Sequence, residues 1–525
     1  MNNTTIKKYL VLILCSLTIT SCDRDFEEIN VNPSKPTATF MAALFNGVVE
    51  SLQLTWNGQF YVDNEILYPA TQLGALIGND WSNTALGIDA IWENYYHSLK
   101  NIRELEDRFD NYSGSQEELV NVRAMTKILL AYKTFTITDL FGDIPFFDAG
   151  KGNQDLKYLK PKYDDQESIY KFLLQELQWA VENIDLNGVS SEGLPLYSFG
   201  SYDALLNSDM SRWIKFANAL RLRYAMRMVE VDEFFAAPII SEIIDNNSPV
   251  IEEGEDVVLR PVSLGYTKES THWSFREHKN LRMGSTMWSA MQGDSTDRDP
   301  RLPIFFDVNN AGAWAPYPNA LPTGTAQPVE GGIPYGGQRD GGYAIRGIEN
   351  KYSSFQYYLI RDENDIPEIL MTAAEVRFHK AEAILRGIGT IQNENLADTE
   401  YTLGISQSLK FWNSEVQNCE IWEPKVTISN TEIFSYPVAP AVSLSNNNFD
   451  LNLIYTQKWL HYFRQPREAF ALARRTGRTP REGDALRYNR LKYPASEANY
   501  NTENYQAQVA KMGGDLNEVK MWWQE

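Results

Sequence analysis

Cysteine, histidine and basic charge are all scarce in this chain of 525 residues, and each shortage closes off a class of function. Five histidines, His97, His272, His278, His379 and His461, contain no HExxH pair, which disfavours zinc-dependent hydrolysis. A phosphate-binding glycine loop and a GxSxG nucleophile elbow are also missing. With 48 Lys+Arg against 69 Asp+Glu the net charge is −21, so the basic footprint of a nucleic-acid binder is absent. The same acidity excludes attachment to an anionic lipid surface by charge alone. No series of ten-residue alternating segments suggests a membrane barrel, so the chain is not expected to form a pore.

One apolar run is present, at the start. Lys7 and Lys8 precede an apolar stretch over 9–17, and Ile19-Thr20-Ser21 leads into Cys22. The stretch is shorter than the roughly 20 residues of a spanning helix and fits a removable secretion signal. The small residues before a cysteine make it a lipoprotein signal over 1–21, with the mature chain expected to begin at an acylated Cys22. Several acyl chains would then anchor the protein to a membrane. Cys15 leaves with the signal and Cys22 carries lipid, so Cys419 alone would remain and no intramolecular disulfide could form. Cys419 has no histidine near it in sequence and reads as a half-buried thiol, not a nucleophile.

Residues 22–525 are expected to form one domain of mostly α class, with helical blocks over about 38–230 and 368–525 around an irregular middle over about 250–365. Trp92, Tyr95, Tyr96, Leu99 and Ile102 share a helical face, as do Val122, Met125, Leu129 and Tyr132. Further helices are expected over 168–184, 213–228, 368–386 and 455–474. The middle is dense in Gly and Pro, as in Gly331-Gly332-Ile333-Pro334-Tyr335-Gly336-Gly337, and reads as turns. Short helices joined by short turns suggest stacked pairs of the tetratricopeptide kind, although no strict 34-residue period is visible.

Several motifs have structural readings. Gly142-Asp143-Ile144-Pro145 reads as a helix end in which Gly142 takes the left-handed conformation and Pro145 prevents continuation. Arg221 and Arg223, inside an apolar helix, are expected to neutralise carboxylates between packed helices. Asp299-Pro300-Arg301 reads as a turn. Together with Asn30-Val31-Asn32-Pro33, Pro161-Lys162-Tyr163-Asp164-Asp165, Trp213-Ile214-Lys215-Phe216-Ala217-Asn218, Ala374-Glu375-Val376, Arg490-Leu491-Lys492-Tyr493-Pro494 and the terminal Trp522-Trp523, these segments resemble, in order, the SusD/RagB family of nutrient-binding outer-membrane lipoproteins. The acidic run Asp23 to Glu28 likewise resembles the export signal of surface lipoproteins in the Bacteroidetes. The resemblance implies a tetratricopeptide-like scaffold with an irregular ligand face. It also implies a lid role on a SusC-like, TonB-dependent transporter, at the cell surface and held by the lipid anchor.

The chain is rich in aromatics, with 13 Trp, 28 Tyr and 24 Phe. Sugar rings lay their C–H faces on Trp or Tyr while Asn, Gln, Asp or Arg meet the hydroxyls. Trp81, Trp273, Trp314, Tyr317 and Tyr335 lie in loops with that mixture and are the expected ligand contacts. The expected function is oligosaccharide binding and delivery to the transporter, with no catalysis. Peptide cargo in the same lid role is one alternative. An all-α glycoside hydrolase, with two carboxylates flanking a cleft, is the other. Asp294, Asp297 and Asp299 make an oxygen-rich loop of the kind that holds calcium, but the calcium-hand spacing is absent. A solvated acidic loop and no cofactor are expected there.

Overall fold

The computed structural model describes residues 40–77, 84–260, 281–320, 325, 338–339, 342–343, 351–356, 367–419, 425–483, 486 and 488–524. The first block holds α1 (Met41–Glu50), α2 (Thr84–Asp110), α3 (Val120–Phe141), α4 (Gln166–Asn183), α5 (Met210–Met228) and α6 (Glu233–Ile244). Each of α2 to α5 packs on the next helix in sequence, and α5 on α6. That stacking is the tetratricopeptide-like scaffold expected from the short helices and turns. The second block comprises α7 (Ser285–Ala290), α8 (Ala373–Arg386), α9 (Glu394–Asn418), α10 (Leu451–His461), α11 (Pro466–Thr476) and, packed back toward the first block, α12 (Thr502–Met512). No described helix is long and apolar enough to cross a membrane.

Local chemistry sets the helix ends. Asp209 accepts hydrogen bonds from the backbone N–H groups of Ser211 and Arg212 and so starts α5, and Thr372 does the same for Glu375 at the start of α8. Gly387 and Gly477 close α8 and α11 in the left-handed conformation. Gly142 also has positive φ, but its ψ of −130° lies outside the left-handed helical region, so the chain turns sharply rather than curling. Asp143 then accepts from the backbone N–H of Gln166 at 2.8 Å, capping α4 from a distance, while Asp164 accepts from the N–H groups of Phe146 and Phe147 at 2.9 Å each. The recognised motif is therefore a clasp between α3 and α4.

The helices depart most clearly from the sequence expectation in two places. Residues Glu368–Met371 form a strand, not the first turn of α8, because they pair antiparallel with Val257–Leu259. The helical stretch expected over 455–474 is broken at Tyr462–Arg464, a 3-10 turn ahead of Pro466 at the start of α11.

Two apolar cores result. The first lies among α1 to α6 and includes Trp213, Tyr224 and, from the far end of the chain, Trp523. The second gathers α8 to α11 around Trp412, Trp459 and Phe463. Met283, Met287, Met291, Phe305 and Phe306 belong to it, so the irregular middle contributes core as well as loops. Cys419 is fully buried rather than half-buried.

Buried ion pairs stitch the two cores together. Arg223 of α5 pairs with Glu375 of α8 at 2.6 Å, both sealed from solvent at 1% and 0% exposure. One turn on, Arg227 pairs with Asp139 of α3 and Glu468 of α11. Asp139 also accepts from Tyr170 and from the indole N–H of Trp523. Arg221 pairs with Glu242 at 2.6 Å, as expected for a cation inside an apolar helix.

Candidate functional site

The loop region presents a tryptophan pair, Trp288 and Trp314, with ring centroids 6.2 Å apart and planes tilted by 36°. Both rings are half-buried. Trp288 rides on α7, whose position is fixed from several sides. The segment before α7 is held by backbone bonds, with the Tyr317 N–H donating to the Met283 carbonyl and the Ser285 N–H to the Tyr317 carbonyl, each at 2.8 Å. Asn319 accepts from the Thr286 N–H at 3.0 Å and caps the helix. A β-carbon on Gly284 would meet that Asn319 oxygen at 2.1 Å, so glycine is needed for the close approach. The Ser285 hydroxyl donates to Glu482 at 2.6 Å, and Gln72 bridges Thr286 to the Glu482 backbone. Elements more than 190 residues away thus clamp α7 in place.

The Trp288 ring lies over Gly293, and its N–H donates to Asp294 Oδ2 at 3.1 Å. Arg298 stacks its guanidinium 5.3 Å from the same ring while donating to the Gly293 carbonyl at 2.6 and 2.9 Å. Trp314 follows a loop shaped by Asn309, whose Oδ1 accepts from the N–H groups of Ala311 and Ala313 at 3.0 Å. The result is an aromatic surface edged by an exposed carboxylate and a guanidinium. Such a surface can hold an apolar sugar face and reach its hydroxyls.

Of the five aromatics singled out in sequence, Trp81, Trp273 and Tyr335 lie outside the described residues. Trp314 is placed in the pair. Tyr317 is 1% exposed, packed edge-on against Tyr352 at 4.9 Å, and supports the platform from beneath through its backbone. Trp288 was missed. A signal for it existed: Met283, Met287 and Met291 recur every four residues as the buried stripe, and Trp288 stands one position off that stripe.

The acidic loop divides. Asp294 and Asp297 are exposed, as a solvated loop requires. Asp299 is buried, with both oxygens engaged by Arg301 and one also by Tyr436 at 2.9 Å, so it is turned away from any cation the loop could hold. Among the described residues no group of three or more His, Cys, Asp or Glu is arranged to hold a metal.

Material for acid–base chemistry exists but is poorly placed for it. Burial pushes the Asp256 carboxyl up to about 6, yet its Oδ1 accepts from the Ala373 N–H at 2.8 Å, and the neighbouring Glu415 is bound to Arg260 at 2.6 Å. His379, Lys458 and Glu375 form a hydrogen-bonded cluster that is sealed in the interior.

Residues 41–494 match the model of a family described as SusD-like, starch-binding and associating with the outer membrane. The fold is shared with a solved chitin-binding protein at 21% identity and a TM-score of 0.70, covering 93% of this chain and 100% of that one. A SusD homologue from Parabacteroides distasonis aligns at 19% identity and a TM-score of 0.70, covering 93% and 98%. Another from Bacteroides fragilis aligns at 19% and 0.68, covering 92% and 100%. Among curated proteins there is no significant match.

Proposed function

Because the chain belongs to the SusD-like family of starch-binding proteins that associate with the outer membrane, we propose that it captures oligosaccharides at the cell surface and passes them to a SusC-like, TonB-dependent transporter. The observation that carries the reading is the Trp288–Trp314 pair edged by Asp294 and Arg298 on a rigidly clamped support. Trp81, Trp273 and Tyr335 are proposed as further ligand contacts, with Tyr317 holding the segment before α7 through its backbone. A lipid on Cys22 provides the anchor. Family members are binding proteins, and no catalytic step is assigned to this chain.

The test is titration of the purified protein with starch-derived and chitin-derived oligosaccharides and with peptides, alongside Trp288→Ala and Trp314→Ala. Loss of one aromatic contact should cost about 1 kcal/mol or more, a several-fold to tenfold weakening, without hydrolysis of the ligand. Unchanged affinity in both variants would place the ligand elsewhere. Binding of peptides in preference to every glycan would change the cargo.

A further inference from the structure

A second concave site lies at the seam between the two blocks, and it shares no lining residue with the Trp288–Trp314 face. The turn after α1 (Ser51 to Thr55), Asp63, three residues of α2, four of α3, the strand residues Glu368 and Ile369, and the segment 464–468 line a partly open chamber of about 100 Å³. At about 10–15 Å³ per water-sized group, that is room for several such groups, the size of one sugar ring rather than a chain.

Its walls are of two kinds. Ile91, Tyr95, Tyr132 and Ile137 give an apolar side. Opposite them the polar groups are only partly matched among the described residues. Asp63 is fully buried; its Oδ1 accepts from Arg467 at 2.9 Å, and its Oδ2 has no partner. Gln465 gives its amide N–H to the Ile369 carbonyl at 3.1 Å and leaves its Oε1 unmatched. Arg464 leaves its Nε donor unmatched. Lys133 donates to the Ser51 carbonyl at 2.7 Å and to Asn94 at 2.6 Å, using two of the three donors of an ammonium.

The lining carries opposite formal charges in equal number, Asp63, Glu368 and Glu468 against Lys133, Arg464 and Arg467. Asp63 pairs with Arg467, and Glu468 with Arg227 and Arg223. Burial draws the Lys133 amine down to about 7, which reduces its demand for a counter-ion. A charged guest would therefore bring an unpaired charge into a buried site, which is costly. Hydroxyl groups both donate and accept, so an uncharged polyol can give hydrogen bonds to Asp63 Oδ2 and Gln465 Oε1 and accept from Arg464 Nε. A guest that meets those atoms is favoured over one that leaves them unmatched.

We propose that this chamber binds a single small, uncharged, hydroxylated molecule, a monosaccharide or sugar alcohol, independently of the surface platform. The experiment uses the purified protein, with glucose, mannose, N-acetylglucosamine and sorbitol as probes and gluconate and glucosamine as charged controls. Binding is followed by calorimetry, and crystals soaked in glucose or sorbitol locate the ligand. Expected is saturable binding of at least one neutral probe, density for it against Asp63 Oδ2, and weaker binding of its charged counterpart. Thr136→Trp, which fills the chamber, should abolish this binding, and Asp63→Asn should weaken it about tenfold, the loss of one well-placed bond. Trp288→Ala should leave it intact while weakening oligosaccharide binding. Soaked crystals showing only water on Asp63, or binding that survives Thr136→Trp but is lost in Trp288→Ala, would overturn the proposal. The soak of the unsubstituted protein decides the matter even if a variant fails to fold.

Discussion

The indole of Trp288 covers Gly293 so closely that a β-carbon there would sit 2.0 Å from the ring. No rotation of a rigid bicyclic ring accommodates such a contact without leaving its seat. Gly293→Ala should displace Trp288, break its bond to Asp294 and separate it from Trp314. The expected result is a several-fold loss of oligosaccharide affinity comparable to that of Trp288→Ala, with the helical circular dichroism unchanged. Normal binding by Gly293→Ala would show that the ring position is not what the ligand reads.

The Arg223–Glu375 pair makes a prediction about stability. Removing one member leaves the other charged and buried, which costs about 3–5 kcal/mol. Glu375→Gln should therefore lower the midpoint of chemical denaturation strongly. The double variant Arg223→Met, Glu375→Leu should recover much of that loss, because two apolar residues leave no charge behind. Equal damage from the single and double changes would mean that Glu468 and the Leu370 carbonyl, which Arg223 also contacts, matter more than the pair.

Acid should destabilise the fold through two imidazoles. Burial holds His379 and His461 down to about 3, so the folded protein keeps them neutral where the unfolded chain, near 6.5, would protonate them. The unfolded state thus binds more protons between pH 6.5 and 3, and stability falls as pH falls through that window. Each imidazole contributes a slope approaching about 1.4 kcal/mol per pH unit. His461 sits between the hydroxyls of Thr372 and Ser408 at 2.7 and 2.9 Å, with the cations Lys458 and Arg301 lowering its pKa and Glu375 raising it. His461→Gln should flatten the pH dependence of denaturation between pH 4.5 and 6.5 by one proton. A slope identical to the parent would show that His461 is protonated in the folded state.

Anchoring gives the remaining prediction. Cys22→Ser should move the protein from the membrane to the soluble fraction in cells lacking the transporter. Fractionation and immunoblotting measure this, and persistent membrane retention would mean that another part of the chain holds it there.

The helical scaffold was legible because its apolar stripes follow the helix period without interruption, as from Trp92 to Ile102 and from Val122 to Tyr132. Features that depend on distant partners were not legible. Residues 368–371 look helical in isolation and become a strand only through pairing with Val257–Leu259, more than a hundred positions earlier. Asp299-Pro300-Arg301 has the local signature of a turn, yet its two charged side chains are sealed among Ser408, Tyr436 and Gln457. At the site, loop composition pointed to Trp314 but not to Trp288, which is carried on a short helix beside the buried stripe of Met283, Met287 and Met291.

Asp139 has a consequence for the order of events when the chain is made. Its carboxylate is complete only when Arg227 and Trp523, the latter 384 residues further along, have both arrived. Contacts of such separation are slow to form, since a long loop must close before any of them contributes. A chain emerging N-terminus first would have Tyr170 and Arg227 to engage Asp139 early, but the bond from Trp523 only after the second block has been made. The first core therefore takes its last polar contact late, and the interval between is when it is most open to proteases and to chaperones.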